Sequence, residues 1–209
     1  MKEIFKHIWE SGLWGGKDTD NRSGQGSTVW QTRVLVAELP KLLGEFEIIT
    51  MLDIPCGEFK WMSKVDLDEV RYTGADIVEG LIQSNKEKYP GIDFVCMDVV
   101  RDPLSRFDLI FCRDCLVHFP HIYVFEAIRN IVLSGSRYLM ATTFPGRRNP
   151  NLPYIGWWQP YDLEGPPFLF PKPIRVVREH CTQGGGAFRD KSMGLWLVKD
   201  IRENVPITF

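Results

Sequence analysis

The stretch 48–59 constrains the fold of this chain more than any other. Residues 48–52 are apolar apart from one threonine and include two adjacent isoleucines, which is typical of a parallel strand covered on both faces. Asp53 follows this strand, and Gly57 permits a tight turn that brings the backbone close to a ligand. Because ligands of open α/β sheets bind at the carboxyl ends of strands, we expect a binding site here. A helix over 59–65 would point its N-terminus at that site.

Further strand-like segments alternate with segments of helical periodicity along the chain. The strands are predicted over 71–77, 93–98, 107–112, 138–143, 174–181 and 192–198. The helices are predicted over 28–39 (ended by Pro40 and Gly44), 78–89 and 121–132, after an amphipathic start around residues 4–9. This alternation predicts the α/β fold class: a Rossmann-like, doubly wound, seven-stranded sheet, mostly parallel with an antiparallel last strand.

Aspartates end three consecutive predicted strands, at Asp53, Asp76 and Asp98. A dinucleotide site would need several glycines under its pyrophosphate, whereas this turn holds one glycine and a second acid, Glu58. Carboxylates repel phosphate, and they suit a cofactor with a cationic amino-acid end such as S-adenosylmethionine (SAM). Asp76 can accept both ribose hydroxyls, and Asp98 can accept from the adenine amine. The alternative for each aspartate alone is a structural helix cap.

The pattern D-x-x-C-G-x-F at 53–59 resembles motif I of the class I, seven-stranded SAM-dependent methyltransferases. The other strand ends resemble motifs II to V of that family, over about residues 28–143. The resemblance implies methyl transfer from SAM, with S-adenosylhomocysteine (SAH) as product. The cofactor-binding residues that it implies are Asp53, Ile54, Pro55, Cys56, Gly57, Phe59, Asp76, Ile77, Asp98, Val99, Cys112 and Arg113.

His118 is the candidate catalytic base, because it follows the fourth strand and imidazole titrates near neutral pH. Asp114 is the rival base or the group that orients His118. The alternative for His118 is a histidine that packs on the sheet. A divalent ion could instead gather Asp114, His118 and His121. The C-x-x-C pair Cys112 and Cys115 could indicate a zinc or redox site. Because the chain has no second such pair, we predict no metal there.

Residues 144–173 change in character, with many prolines and two adjacent tryptophans, Trp157 and Trp158. Flat aromatic faces beside polar groups such as Gln159 and Arg147 are what a pyranose ring needs. We therefore predict a substrate-side insertion in which these four residues bind the acceptor. The alternative is that the tryptophans cover the edge of the sheet.

The runs 113–118 and 194–196 are more specific than the general family pattern. They are similar to small bacterial and large-virus methyltransferases found with glycosyltransferases, including the sugar O-methyltransferase domain joined to rhamnosyltransferases in algal-virus glycan enzymes. The resemblance implies a sugar or glycan acceptor, such as a deoxyhexose like rhamnose, and association with or fusion to glycosyltransferases. The rival functions are N- or carboxyl-methylation of a small metabolite or protein, and SAM binding without catalysis.

Composition narrows the partners and the setting. The net charge is −2, from 25 basic and 27 acidic residues, so nothing favours a nucleic-acid partner. No apolar run approaches the ~20 residues of a membrane span, so no membrane partner is expected. The five cysteines, mostly in apolar contexts, suit reduced thiols and a cytoplasmic protein. We expect one domain over 1–209, with residues 1–27 as a lid.

Overall fold

The computed structural model describes residues 1–15 and 21–207, so part of the predicted lid, residues 16–20, lies outside the described residues. Seven strands form one sheet in the order β3-β2-β1-β4-β5-β7-β6. The strands are β1 Thr50–Asp53, β2 Arg71–Asp76, β3 Asp93–Cys96, β4 Leu109–Cys112, β5 Tyr138–Thr143, β6 Arg175–Arg178 and β7 Ser192–Leu197. Strands β1 to β5 pair in parallel, and β7 runs antiparallel to both β5 and β6. The predicted fold class is confirmed.

Helices cover both faces of this sheet. They are α1 Lys2–Ser11, α2 Val29–Glu45, α3 Glu79–Lys88, α4 His121–Leu133 and α6 Val198–Asn204, whereas α5 Gln183–Gly186 is a single turn in the connection between β6 and β7. Successive side chains of a strand point to opposite faces. In β4, Phe111 therefore packs with the buried side of α2 and α3, whereas Ile110 packs with α4 and α6. Covering on both faces explains why the central strands read as continuous apolar runs.

Helix α2 continues past the point where the sequence predicted its end. Thr28 caps it by accepting a hydrogen bond from the Gln31 backbone N–H at 3.3 Å. The prediction that the helix ends at Pro40 is wrong, because it runs five residues further. A proline inside a helix costs about 3 kcal/mol. Leu42 and Leu43 are both buried beyond it, and each such burial stabilises by about 1.5–3 kcal/mol, enough to offset that cost.

The turn after β1 leads into no α-helix. Only a short 3-10 turn, Met62–Lys64, follows it. Phe59 has φ +59°, in the left-handed region, and its buried ring packs on Tyr72 and Phe94 at centroid distances of 5.1 and 5.3 Å. The helix predicted over 59–65 is therefore wrong, because burial of the aromatic ring holds Phe59 outside the helical conformation.

All five cysteines are free thiols, and only Cys96 is exposed. Within residues 1–15 and 21–207, no helix combines the length and the apolar character needed to cross a bilayer.

Candidate active site

One cavity of about 410 Å³ lies at the carboxyl ends of the parallel strands, within the size range of small-molecule sites. Besides N-terminal residues, its lining consists of two sides. The cofactor side, from the ends of β1 to β3, includes Asp53, Ile54, Pro55, Cys56, Gly57, Phe59, Asp76, Ile77, Asp98 and Val99. The acceptor side, from the loop after β4 and later segments, includes Asp114, His118, Phe144, Trp158, Gln183, Phe188 and Lys191, together with Trp14.

The N-terminal segment 21–27 borders both sides and is bonded to the turn after β1. Ser23 Oγ accepts from the Glu58 backbone N–H at 3.1 Å, and the Ser23 backbone N–H donates to Glu58 Oε2 at 3.2 Å. Gly57 has φ +52°, and a Cβ placed there would lie 2.9 Å from Ser23 Oγ. Glycine is therefore required both by the turn and by the segment that lies on it. The lid function predicted for residues 1–27 stays a prediction.

Asp76 is a buried carboxylate that closes the turn. Its Oδ2 accepts from the Gly57 backbone N–H at 3.3 Å and its Oδ1 from the Val78 backbone N–H at 3.0 Å. Burial raises the pKa of Asp76 to about 6, although these backbone bonds oppose the shift. No ion pair to Asp76 occurs among the residues the structure describes. Its remaining lone pairs therefore fit the ribose hydroxyls predicted to bind there.

Asp53 ends β1 and is almost fully buried. It accepts a hydrogen bond from the Tyr72 hydroxyl at 2.7 Å. Burial raises the pKa of Asp53 to about 8, while the Tyr72 hydrogen bond and the Arg113 charge act in the opposite direction. A cationic group brought beside Asp53 would favour its charged form. The carboxylate acceptors of the cofactor side thus fit an adenosyl cofactor with a cationic amino-acid end.

Asp98 stabilises a turn and also lines the cavity, and its predicted contact with adenine stays a prediction. Its Oδ1 accepts from the Val100 backbone N–H at 2.9 Å. Cys112 differs from its prediction: it does not line the cavity and has no exposed surface. Its side chain belongs to the core with Ile110, because both residues face the same side of β4. This places Cys112 away from the site predicted for it.

Arg113 and Asp114 belong to a network of four charges, three of them buried, that the sequence did not reveal. Arg113 Nη2 lies 2.6 Å from Glu179 Oε2, and Arg113 Nη1 lies 3.2 Å from Asp114 Oδ2. Lys191 Nζ lies 2.5 Å from the same Asp114 oxygen. Arg113 also donates to the Gly26 carbonyl at 2.9 Å, which ties the N-terminal segment to the site. Two cations and two carboxylates compensate each other in this network.

Asp114 is therefore a poor candidate for the base. Burial acts to raise the pKa of Asp114, but the Lys191 and Arg113 cations outweigh it and hold that pKa well below its usual range. A carboxylate that weakly basic does not take a proton from a hydroxyl. In the described part of the chain, Asp114 also makes no hydrogen bond to His118. Asp114 has φ +50°, and its backbone N–H donates to Thr142 Oγ1 at 2.8 Å, which fixes its place in the wall.

His118 has the geometry that a base requires. Its Nδ1 lies 2.9 Å from the Trp157 carbonyl oxygen. A carbonyl only accepts, so Nδ1 carries the proton and Nε2 presents its lone pair. Burial lowers the pKa of His118, which keeps the ring neutral near pH 7. The Trp14 ring stacks on His118 at a centroid distance of 4.2 Å and an angle of 21°.

The residues predicted to bind substrate divide into two groups. Trp158 lines the cavity, whereas Trp157, Gln159 and Arg147 do not. The Trp157 side chain is 58% exposed, and its contribution to the site is the carbonyl that holds His118. The Gln159 backbone N–H donates to the Val117 carbonyl at 2.9 Å. Arg147 is engaged by its own partner, Asp190.

A metal site was the alternative reading of Asp114, His118 and His121. Among residues 1–15 and 21–207, no group of three or more His, Cys, Asp or Glu side chains is placed to hold an ion. Asp114 is bound to Lys191, and the His121 ring packs on Phe168 at 5.1 Å. The three residues therefore have separate environments.

Comparison with known proteins agrees with this arrangement. Residues 51–134 match the methyltransferase domain family. No curated protein sequence matches the chain significantly. The N-methyltransferase NodS from Bradyrhizobium japonicum has 18% identity and a TM-score of 0.56, with 80% of this chain and 96% of that chain covered. Magnesium protoporphyrin IX methyltransferase from Synechocystis, solved with SAH, has 19% identity and a TM-score of 0.52, with 70% and 74% covered.

Three other solved structures match this chain over a smaller part of their own length. The chain spans 38%, 44% and 57% of their lengths, at TM-scores from 0.40 to 0.46. The fold assignment rests on the two longer matches, which share the sheet architecture at low identity. Taken together, the family match over residues 51–134 and the sheet order show a Rossmann-like methyltransferase fold, and the acids that line one cavity fit S-adenosylmethionine as the methyl donor.

Proposed function

We propose that this protein methylates a hydroxyl of a sugar or glycan terminus, with His118 as the general base. The observation that carries the proposal is the contact between His118 Nδ1 and the Trp157 carbonyl. It leaves Nε2 as a proton acceptor in a ring that is neutral near pH 7. A protonated hydroxyl is a poor nucleophile, so such a base is most useful for oxygen methylation.

The charges on the acceptor side support a neutral acceptor. Its ionised side chains, Asp114 and Lys191, are paired with each other, and the adjacent Arg113 is paired with Glu179. Arg147, close to the acceptor side, is paired with Asp190. A carboxylate, phosphate or ammonium acceptor would lose its hydration without gaining a free counter-charge from these residues, which is unfavourable.

Aromatic surface beside polar groups supports a pyranose ring. Trp158 is 39% exposed, and it lines the cavity together with Phe188 and Gln183. The finer predictions, a deoxyhexose such as rhamnose, association with glycosyltransferases and a cytoplasmic location, rest on the sequence and stay predictions.

The roles of the chain's own residues follow from this geometry. SAM supplies a methyl group on a positively charged sulfur. Asp76 would hold the ribose, Asp53 the amino-acid end, and Asp98 with Val99 the adenine. His118 Nε2 takes the proton of the acceptor hydroxyl, while Nδ1–H stays bonded to the Trp157 carbonyl and stabilises the imidazolium that forms. Holding the two reactants in place supplies much of the rate.

Two rival functions remain distinct in their consequences. N-methylation has its support in one of the two longer structural matches, an N-methyltransferase, while carboxyl-methylation stays an alternative from the sequence. A carboxylate acceptor needs no base, so His118→Ala would change its methylation little. A SAM-binding subunit without catalysis would bind SAH and transfer no methyl group to any acceptor.

The test is transfer of a radiolabelled methyl group from SAM to a panel of methyl glycosides. We expect wild type to methylate at least one sugar and His118→Ala to lose about 10²–10⁴-fold in kcat, with SAH affinity unchanged. His7→Ala is the matched control, because His7 is exposed on α1. Methylation should fall as pH decreases through the pKa of His118, which lies below its ordinary value of 6.5. Full activity in His118→Ala, or no sugar product with wild type, would contradict the proposal.

A further inference from the structure

The segment 183–190 forms a wall of the acceptor side. Gln183, at the start of this segment, and Phe188, near its end, both line the cavity. Between them lie three consecutive glycines, Gly184 to Gly186, with φ of 59°, 65° and 86°. Backbone in this left-handed region suits glycine. The three glycines let the chain fold back so that both side chains reach the same cavity.

Arg147 fastens this wall to the insertion. Its Nη2 donates to the Ala187 carbonyl at 2.5 Å, and its Nε donates to Asp190 Oδ2 at 2.5 Å. The guanidinium also lies 5.5 Å from the centre of the Phe188 ring and 5.6 Å from that of Phe144. A planar guanidinium can make these bonds and ring contacts together. Arg147, predicted as a substrate contact, is thus placed to position the wall.

Three aromatic rings form a corner where the wall meets the insertion. Phe188 contacts Trp158 at a centroid distance of 4.7 Å and 73°, and Phe144 contacts Trp158 at 5.7 Å and 88°. Edge-to-face packing of this kind fixes the rings relative to one another. The corner offers a rigid apolar surface beside the charged network.

Gln183 supplies polar capacity next to that surface. Its Oε1 accepts a bond from the Cys181 thiol at 3.6 Å. Its Nε2 donates to no side chain or carbonyl among the residues the structure describes. The Gln183 side-chain amide also lies near Asp114 of the charged network. A Cβ added to Gly26 would be 3.3 Å from Gln183 Oε1 and 3.3 Å from Asp114 Oδ2. Two N–H donors are therefore available at the cavity wall.

We infer that Gln183 determines acceptor specificity by donating from Nε2 to an acceptor oxygen next to the methylated hydroxyl. Phe188 and Trp158 contact the apolar face of the same ring, and Arg147 is the positioning residue for this wall. The acceptor class is a neutral ring with oxygens on adjacent carbons. The inference rests on the proposed function and deepens it.

The test measures sugar binding to the SAH-loaded protein by saturation-transfer NMR and calorimetry. The probes are methyl α-L-rhamnopyranoside and the analogues that each lack one ring hydroxyl. For Gln183→Ala we expect about threefold to tenfold weaker binding of the parent sugar, the scale of one neutral hydrogen bond. For one analogue, wild type and Gln183→Ala should bind equally, because the bond is already missing. Gln83→Ala, exposed on α3, is the matched control.

Each outcome has a separate meaning. Equal discrimination among the analogues by wild type and Gln183→Ala would overturn this inference and leave the proposed function standing. Weaker SAH binding in Gln183→Ala would place the residue on the cofactor instead and also overturn it. No sugar binding to wild type would overturn the proposed acceptor class together with the inference. Arg147→Lys should raise KM for every bound sugar by a similar factor and leave the discrimination pattern and the SAH affinity unchanged.

Discussion

We predict that cofactor binding depends on pH through Asp53, the buried carboxyl at the end of β1. Its pKa is about 8 in the free protein, because burial outweighs the Tyr72 hydrogen bond and the Arg113 charge. At pH 7 there are then about ten protonated carboxyls for each ionised one. A cofactor ammonium beside Asp53 needs the ionised form, so binding releases close to one proton. Ionising the group first costs about 1.4 kcal/mol, one pKa unit.

The direction with pH follows from the sign of the shift. The pKa is higher in the free protein than in the complex, so affinity rises with pH, by about tenfold per unit until pH reaches about 8, and then levels off. The Asp76 pKa is about 6, so that group is mostly ionised at pH 7 and contributes little.

Calorimetric titration with SAH in phosphate and in Tris measures the protons released, because the two buffers have different ionisation enthalpies. We expect close to one more proton from wild type than from Asp53→Asn at pH 7. The asparagine keeps an acceptor for the Tyr72 hydroxyl, so the comparison isolates the titrating carboxyl. It also subtracts any proton from the cofactor's own amino group. Equal proton release in the two proteins would refute the reasoning.

Three substitutions test the packing and the charges around the site. Gly194→Ala would place a Cβ 2.2 Å from the Trp196 ring, so overpacking should cost about 1–3 kcal/mol and lower Tm in a thermal melt; an unchanged Tm would contradict this packing. Glu179→Gln removes the carboxylate that pairs with buried Arg113, so the free energy of unfolding in urea should fall by about 3–5 kcal/mol. A decrease below 1 kcal/mol would argue against a buried pair. Gly57→Ala, at φ +52°, should cost about 1–2 kcal/mol and weaken SAH binding in calorimetry, and equal affinity would rule out the tight turn.

The cofactor side could be predicted because its signals are local in the sequence. Each acid directly follows an apolar strand, as at Asp53 and Asp76, and parallel strands bring their carboxyl ends to one edge of the sheet. The position of His118 after the fourth strand was found in the same way. Cys112 was misplaced because the period of two along β4 decides its face, and one position separates the core from the site.

The wider arrangement of the acceptor side could not be predicted, because its contacts join distant parts of the chain. Arg113 meets Glu179 66 residues later, and Asp114 meets Lys191 77 residues later. The contribution of Trp157 is a backbone carbonyl, which no side-chain pattern reveals.

The measurement that tests the account most directly is titration of wild type and Asp76→Ala with SAH. Asp93→Ala, at an exposed position of β3, is the matched control. We expect wild type and Asp93→Ala to bind alike, and Asp76→Ala to bind more weakly by about 1–3 kcal/mol, the scale of hydrogen bonds to a charged group. Failure of wild type to bind SAH, or equal affinity in Asp76→Ala, would contradict the cofactor site at these strand ends.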